Sequence, residues 1–180
     1  MTNRPELPLG VDPDNPFENY QVNPYATHLP VLEELVPHNC TAVEFGCGLH
    51  STPFLLERCS YVLSIEMQKP EWIDTVHEHL DKNSPSLVHR WRGISLQGPW
   101  RFLGAEYPPK IDFALVDGHK ASRCWVVNFL MQLRVPIIVA HDTNARGYGW
   151  EHVVVQDGYR HHSYKDLTPH TDAWILSSGQ

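Results

Sequence analysis

The stretch Glu44-Phe45-Gly46-Cys47-Gly48-Leu49-His50-Ser51-Thr52 decides the fold of this chain. It follows a short apolar run and leads into a segment with the apolar spacing of a helix, so it predicts a turn between a strand and a helix. Gly46 and Gly48 lack a Cβ, which lets the backbone turn sharply and lets a ligand approach it closely. The free N–H groups at the start of the helix point back at the same place. The stretch therefore predicts a site for a nucleotide-like ligand.

The composition is that of a soluble globular protein of one domain. The chain has 180 residues, of which 42% are hydrophobic and 19% charged, and this length is enough for a self-sufficient core. A formal net charge of −7 argues against broad binding to nucleic acid or to an anionic membrane. Neither a membrane span nor a signal-peptide core is present in the sequence. Four cysteines without C-x-x-C pairing predict reduced thiols and a cytoplasmic location.

The chain divides into an arm and a domain. Residues 1–25 are rich in Pro, Asn and Asp, so they predict an extended arm and not a packed element. The arm is either a disordered tail or a segment whose Phe17, Tyr20 and Tyr25 fold over a site. Residues 26–180 predict a single domain.

Strand and helix patterns alternate along that domain. Apolar spacing predicts strands at 42–46, 61–66, 86–91, 111–117 and 135–141 and helices at 27–36, 52–59, 70–82 and 120–133. The fourth and fifth strands are continuously apolar, as in a parallel sheet covered on both faces. After residue 150 the pattern predicts an antiparallel pair, with one strand at 152–155 or 159–164 and the other at 173–177. The fold class is α/β, with a doubly wound, mostly parallel, Rossmann-like sheet and a C-terminal antiparallel strand pair.

Polar residues follow several of the predicted parallel strands. Ligands of open α/β sheets bind beyond the carboxyl ends of the strands, where the strand order reverses. The second strand ends in Glu66, a carboxylate suited to the ribose hydroxyls of an adenosine cofactor. The fourth strand ends in Asp117-Gly118-His119-Lys120 and the fifth in His141-Asp142-Thr143-Asn144.

Taken together, these motifs resemble the class I S-adenosylmethionine-dependent methyltransferases over roughly residues 27–178. The resemblance rests on Glu44-x-Gly46-x-Gly48-x-x-x-Thr52, on Glu66, on Val116-Asp117-Gly118 and on the late strand pair. The stretches 111–119 and 137–143 are similar to those of small-molecule O-methyltransferases.

The resemblance implies an enzyme that transfers a methyl group from S-adenosylmethionine to an oxygen, or less readily a nitrogen, of a small molecule or glycan. Neither nucleic acid nor membrane is an expected partner, and no motif encodes the acceptor or the oligomeric state. An acid at position 44 suits the cationic sulfonium and the amino group of this cofactor. The cofactor-binding residues that the resemblance implies are Glu44, Gly46, Gly48, Ser51, Glu66, Met67, Gly93 and Asp117.

The resemblance to catechol-type enzymes raises the question of a metal. In those enzymes the ends of the fourth and fifth strands supply an Asp and an Asp-Asn pair to magnesium, and a Lys serves as base. Here Asp117 and Asp142 are the predicted ligands of Mg²⁺ or another divalent ion, and Asp117, His119, Lys120 and His141 are the predicted catalytic residues. His119 and His141 depart from the pattern and shift the preference toward a transition metal. The alternatives are that the two Asp residues bind local backbone, or that a His acts directly as general base.

Two other functions remain open on the sequence alone. A nicotinamide or flavin dinucleotide fold also has a glycine turn, but its pattern requires a third small residue where this chain has Ser51. A binding module that keeps the cofactor pocket without chemistry has the same sequence features as the enzyme.

Overall fold

The computed structural model describes residues 23–66, 70–80, 88–93 and 110–177. Most of the predicted arm, including Phe17 and Tyr20, lies outside the described residues, as does Met67. None of the helices in the described segments has the length and apolarity of a membrane span.

Seven strands and four α-helices form in these segments. The strands are β1 Thr41–Phe45, β2 Tyr61–Glu66, β3 Val88–Gly93, β4 Phe113–Val116, β5 Ile137–His141, β6 Tyr159–Tyr164 and β7 Thr171–Leu176. The helices are α1 Leu29–Leu35, α2 Ser51–Arg58, α3 Pro70–His79 and α4 Arg123–Gln132. Of the two alternatives for the sixth strand, 159–164 is confirmed, whereas Trp150–His152 is a 3-10 turn.

The sheet is doubly wound, as predicted. Its strand order is β3-β2-β1-β4-β5-β7-β6. Strands β1 to β5 are mutually parallel, and β7 is antiparallel to both β5 and β6. The order reverses between β1 and β4, so the crevice for a ligand is expected at the carboxyl ends of these two strands.

Apolar layers on both faces of the sheet explain why the central strands are continuously apolar. Successive side chains of a strand point to opposite faces. In β1, Val43 packs in the layer that contains α4, and Ala42 packs in the layer that contains α1 and α2. The core therefore fixes the central strands from both sides and leaves their carboxyl ends for the site.

Gly46 ends β1 in a position that only glycine fits. Its φ is +89°, and a Cβ placed there would lie 2.6 Å from the backbone of Asp117 and Gly118. The backbone on either side is tied to both neighbouring strands, because Gly46 donates its N–H to Ile65 O and Asp117 donates its N–H to Phe45 O, each at 2.8 Å. The absent side chain thus lets β4 and β1 end against each other.

Replacing Gly46 tests this close approach. Gly147 is a matched control, since its φ is +80° but a Cβ there would meet nothing within 4 Å. Both alanine variants carry the left-handed strain, about 1–2 kcal/mol, and Gly46→Ala adds about 1–3 kcal/mol of overpacking. We expect urea unfolding to show a larger loss for Gly46→Ala than for Gly147→Ala. Equal losses would show that the contact with β4 does not matter.

Candidate functional site

Glu44 lies beneath the glycine turn as a buried carboxylate with three hydroxyl partners. Its side chain is fully buried and accepts hydrogen bonds from Ser51 Oγ at 2.5 Å, Thr52 Oγ1 at 2.8 Å and Ser64 Oγ at 2.7 Å. Burial raises the pKa of Glu44 to about 7, although the three hydroxyls oppose the rise. Glu44 and Ser51, both predicted cofactor residues, therefore use their side chains to join β1, α2 and β2.

The turn itself is held in one conformation by further hydrogen bonds. Gly48 donates its N–H to Thr52 Oγ1 at 3.0 Å, and the indole of Trp72 donates to Cys47 O at 2.7 Å. A Cβ on Gly48 would lie 2.9 Å from Ser51 Oγ. A Cβ at position 48 would thus crowd the hydroxyl that donates to Glu44, whereas at position 46 it would meet backbone.

Glu66 stands beside this turn at the carboxyl end of β2. It is 5% exposed, and the Cys47 thiol lies 3.6 Å from its Oε2. Burial and the nearby carboxylates raise the pKa of Cys47, so the thiol is a donor and not a nucleophile. Gly93, the last residue of β3, is the register partner of Glu66. The structure therefore places Glu66 and Gly93 on one side of the crevice.

Asp117 and His141 meet on the other side of the crevice. His141 ends β5 and is 3% exposed, and its Nδ1 lies 3.4 Å from Asp117 Oδ1. Burial alone would raise the pKa of Asp117, but His141 and the Arg123 guanidinium together hold it below its ordinary value. These two predicted residues are brought together as expected from neighbouring parallel strands.

Arg123, at the start of α4, is the main functional-site residue that the sequence reasoning missed. Its side chain is only 7% exposed, and it binds Asp117 Oδ1 through Nη2 and Asp142 Oδ2 through Nη1, each at 2.9 Å. It also donates to the carbonyls of Gly118, His141 and Asp117. An Arg among the apolar residues of a helix was the available signal. The guanidinium bridges the two carboxylates predicted as metal ligands.

His28, just before α1, is the second missed residue. Its ring centroid lies 4.7 Å from that of His141. Its side chain is buried, and neither ring nitrogen has a hydrogen-bond partner among the described residues. Burial, together with the neighbouring His141, lowers its pKa to about 3, so the ring is neutral. No motif in the sequence marks a His far from the strand ends as part of this cluster.

The remaining predicted residues lie around this cluster. Asp142 has a φ of +58°, a conformation that Asp tolerates better than most residues. Its Oδ1 is 3.8 Å from His141 Nδ1.

The predicted residues next to Asp142 and Asp117 have other partners. Thr143 Oγ1 donates to Asp172, and Asn144 Oδ1 accepts from the backbone N–H of His170. His119 Nδ1 accepts the N–H of Ala121 at 3.2 Å, and Lys120 is exposed. Asn144 is thus engaged away from the cluster.

No protein-family model and no curated protein matches this sequence. The O-methyltransferase TomG of Streptomyces achromogenes, involved in Tomaymycin synthesis and solved with SAM, is similar in structure at 12% identity and a TM-score of 0.64 over 86% of this chain and 79% of that one. An O-methyltransferase from Bacillus cereus in complex with SAH is similar at 12% identity and a TM-score of 0.62. The similarity covers 86% of this chain and 80% of that one. Streptococcus pneumoniae Sp1610, described as a tRNA (m1A22) methyltransferase and solved with S-adenosyl-L-methionine, is similar at 12% identity and a TM-score of 0.51. The similarity covers 85% of this chain and 73% of that one. At these identities the similarity establishes the fold, and the predicted fold class is confirmed.

Removing the Arg123 charge tests whether its bonds to Asp117 and Asp142 stabilise the fold. Arg123→Gln leaves two carboxylates without their buried cation, which costs about 3–5 kcal/mol of the free energy of unfolding. Arg134→Gln is the control, because Arg134 is exposed and donates to the single carbonyl of Asp157; its expected cost is about 1 kcal/mol or less. Chemical denaturation of both variants measures the difference. Similar small losses of unfolding free energy in both variants would show that the Arg123 ion pairs are not needed for folding.

The raised pKa of Glu44 predicts a pH-dependent stability. The folded pKa of about 7 lies above the ordinary value of 4.5, so its contribution is fully present below about pH 4.5 and is lost as the pH rises through 7. We expect the free energy of unfolding of the wild type, relative to Glu44→Gln, to fall between pH 4.5 and pH 8. Glu57→Gln, exposed on α2, controls for the change in net charge. A flat difference would contradict the prediction.

Proposed function

We propose that the chain transfers the methyl group of S-adenosylmethionine to an oxygen, or less readily a nitrogen, of a small molecule or glycan. One observation carries the proposal. The glycine turn after β1, which Glu44 holds through its hydroxyl partners, lies beside the buried carboxylate of Glu66 at the end of β2. Two proteins of similar fold were solved with SAM and SAH, which supports this choice of cofactor.

The charges of the crevice fit a cationic cofactor. Glu44 and Glu66 are buried beside the turn, and Asp117 lies at the end of the adjacent strand. The buried cation described nearby, Arg123, is already bound by Asp117 and Asp142. A dinucleotide would bring two phosphate charges into this acidic surrounding, whereas a sulfonium brings a positive charge. The electrostatics therefore favour S-adenosylmethionine over a nicotinamide or flavin dinucleotide.

The start of α2 also favours S-adenosylmethionine over a dinucleotide. In dinucleotide-binding folds a third small residue allows close packing of the helix against the strand. In this chain Ser51 occupies that position, and its hydroxyl donates to Glu44. The acid and the hydroxyl form one unit that holds the helix, so the departure from the dinucleotide pattern has a structural role.

When bound, the cofactor supplies an electrophilic methyl group on a cationic sulfur. The proposal assigns the ribose hydroxyls to Glu66 and the adenine side to Gly93 and Met67. The backbone from Gly46 to Gly48 lines the remainder of the cofactor, above the carboxylate of Glu44.

The acceptor is assigned to the crevice beyond β4 and β5, because the reacting oxygen must lie in line with the methyl group. Asp117 and His141 hold it there. His119 accepts a backbone N–H at Nδ1, and Lys120 is exposed beside it. The proposal assigns removal of the acceptor's proton to the deprotonated side chain of one of these two residues.

Calorimetric titration tests the cofactor assignment. We expect the wild type to bind S-adenosylmethionine and not NAD(H), and Glu66→Gln to bind it about 10–100-fold more weakly, because a hydrogen bond to a charged group contributes about 1.5–3 kcal/mol. Glu57→Gln, exposed on the helix that follows the turn, should bind like the wild type. Binding of NAD(H) without binding of S-adenosylmethionine would overturn the assignment.

Turnover separates an enzyme from a binding module. With S-adenosylmethionine bound, the formation of S-adenosylhomocysteine is measured against hydroxylated small molecules, glycans and RNA. Product with a small hydroxylated acceptor supports the proposal, and product with RNA alone assigns a different acceptor class. Tight binding without product on any acceptor would identify a module.

A further inference from the structure

We propose that His28, Asp117 and His141 form a binding site for one divalent transition-metal ion such as Zn²⁺. One ligand atom from each residue lies within 4.8 Å of the other two. The three residues come from the residue before α1, the end of β4 and the end of β5. The fold thus brings two imidazoles and one carboxylate into one cluster.

His28 gives the first reason to place an ion there. The ring is 1% exposed, and within the described segments neither of its nitrogens has a hydrogen-bond partner. Burial of a polar group without a partner is costly, so buried rings are nearly always hydrogen-bonded or bound to a metal. A neutral imidazole that faces a carboxylate and another imidazole has the lone pair that a metal ligand needs.

The hydrogen bonds of His141 give the second reason. Its Nε2 lies 2.9 Å from Thr27 Oγ1, and the Thr27 hydroxyl donates to Pro169 O at 3.2 Å. Because Thr27 has one hydroxyl hydrogen, it must accept from His141 Nε2–H when it donates to Pro169. The other ring nitrogen, Nδ1, faces Asp117 Oδ1. A cation between these two atoms would be bound by both.

The distance between these two atoms agrees with a shared ion. Nδ1 and Oδ1 are 3.4 Å apart, which is longer than an ordinary hydrogen bond. Two donors of a tetrahedral site with bonds of about 2.0–2.2 Å are separated by about 3.3–3.6 Å. Thr27 then has the role of the outer hydrogen-bond partner that orients most metal-bound histidines.

Asp117 has room for a second cation beside Arg123. Its Oδ1 lies 2.9 Å from the guanidinium. An ionised carboxylate has about four lone-pair sites, so the bond from Arg123 does not prevent Asp117 from binding an ion.

The donor set selects the metal. Two imidazole nitrogens and one carboxylate oxygen suit Zn²⁺, Fe²⁺ or Co²⁺, whereas Mg²⁺ prefers oxygen ligands throughout. Three protein donors leave a fourth position open, and the side chain of Asp117, 24% exposed, is where the cluster reaches solvent. This last step rests on the proposed function: an ion there would bind the hydroxyl of the acceptor and lower its pKa.

Metal binding is measured on the full chain after EDTA treatment, in the absence of S-adenosylmethionine. We expect calorimetry to show one tightly bound Zn²⁺ per chain, and Co²⁺ to give the visible absorption of a tetrahedral site. Thr27→Val, which removes the outer hydrogen bond at nearly constant shape, should weaken Zn²⁺ binding about 10–100-fold, and His28→Gln should weaken it more. His38→Ala, at an exposed His outside the cluster, should leave it unchanged.

Thermal unfolding supplies a second readout. Zn²⁺ at about 100 times its dissociation constant should raise the unfolding temperature of the wild type by about 5–10 °C. No rise and no stoichiometric binding would overturn the proposal, as would equal binding by the wild type and Thr27→Val, even if His28→Gln fails to fold. A titration with S-adenosylmethionine on the same metal-free protein shows separately whether the cofactor assignment holds.

Discussion

The contacts of the buried Arg123 guanidinium are the interaction on which the site at the ends of β4 and β5 depends. A charge taken out of water must be compensated, and here three backbone carbonyls and two carboxylates compensate it. These partners belong to the segments that follow β4 and β5. Neither segment can move without breaking a bond to the charge, so Arg123 sets the spacing between the two strand ends. The ring of Tyr148, 4.9 Å from the guanidinium, closes over it.

The buried carboxyl group of Glu44 has the corresponding role at the ends of β1 and β2, where the cofactor is proposed to bind. Glu44 accepts hydrogen bonds from hydroxyls of α2 and β2. Arg123 in turn donates to carbonyls and carboxylates at the ends of β4 and β5. The point where the strand order reverses lies between the two charges. Two buried ionisable side chains, each with several hydrogen-bond partners, thus shape the crevice from both sides.

The fold could be predicted because its signals are local. The continuous apolar runs of β4 and β5 and the glycine turn at Gly46 each depend on a few neighbouring residues. Helix α4 begins at Arg123, three residues later than predicted, because residues 117–122 form the turn after β4, in which Ser122 Oγ donates to His119 O. The partners of Arg123 and the position of His28 depend instead on contacts between residues far apart in sequence. Periodicity contains no information about such contacts.

The same limit explains why the acids at positions 117 and 142 were correctly placed at the strand ends but their shared partner was not foreseen. Two carboxylates at neighbouring strand ends need a positive charge between them, and either a metal ion or a basic side chain satisfies that need. In this chain the charge between Asp117 and Asp142 is Arg123. A magnesium ion shared by the two acids would have to displace a guanidinium with three further bonds to backbone carbonyls. The proposed metal site therefore keeps Asp117 but replaces Asp142 by the nitrogens of His28 and His141, and these donors change the expected ion from magnesium to a transition metal.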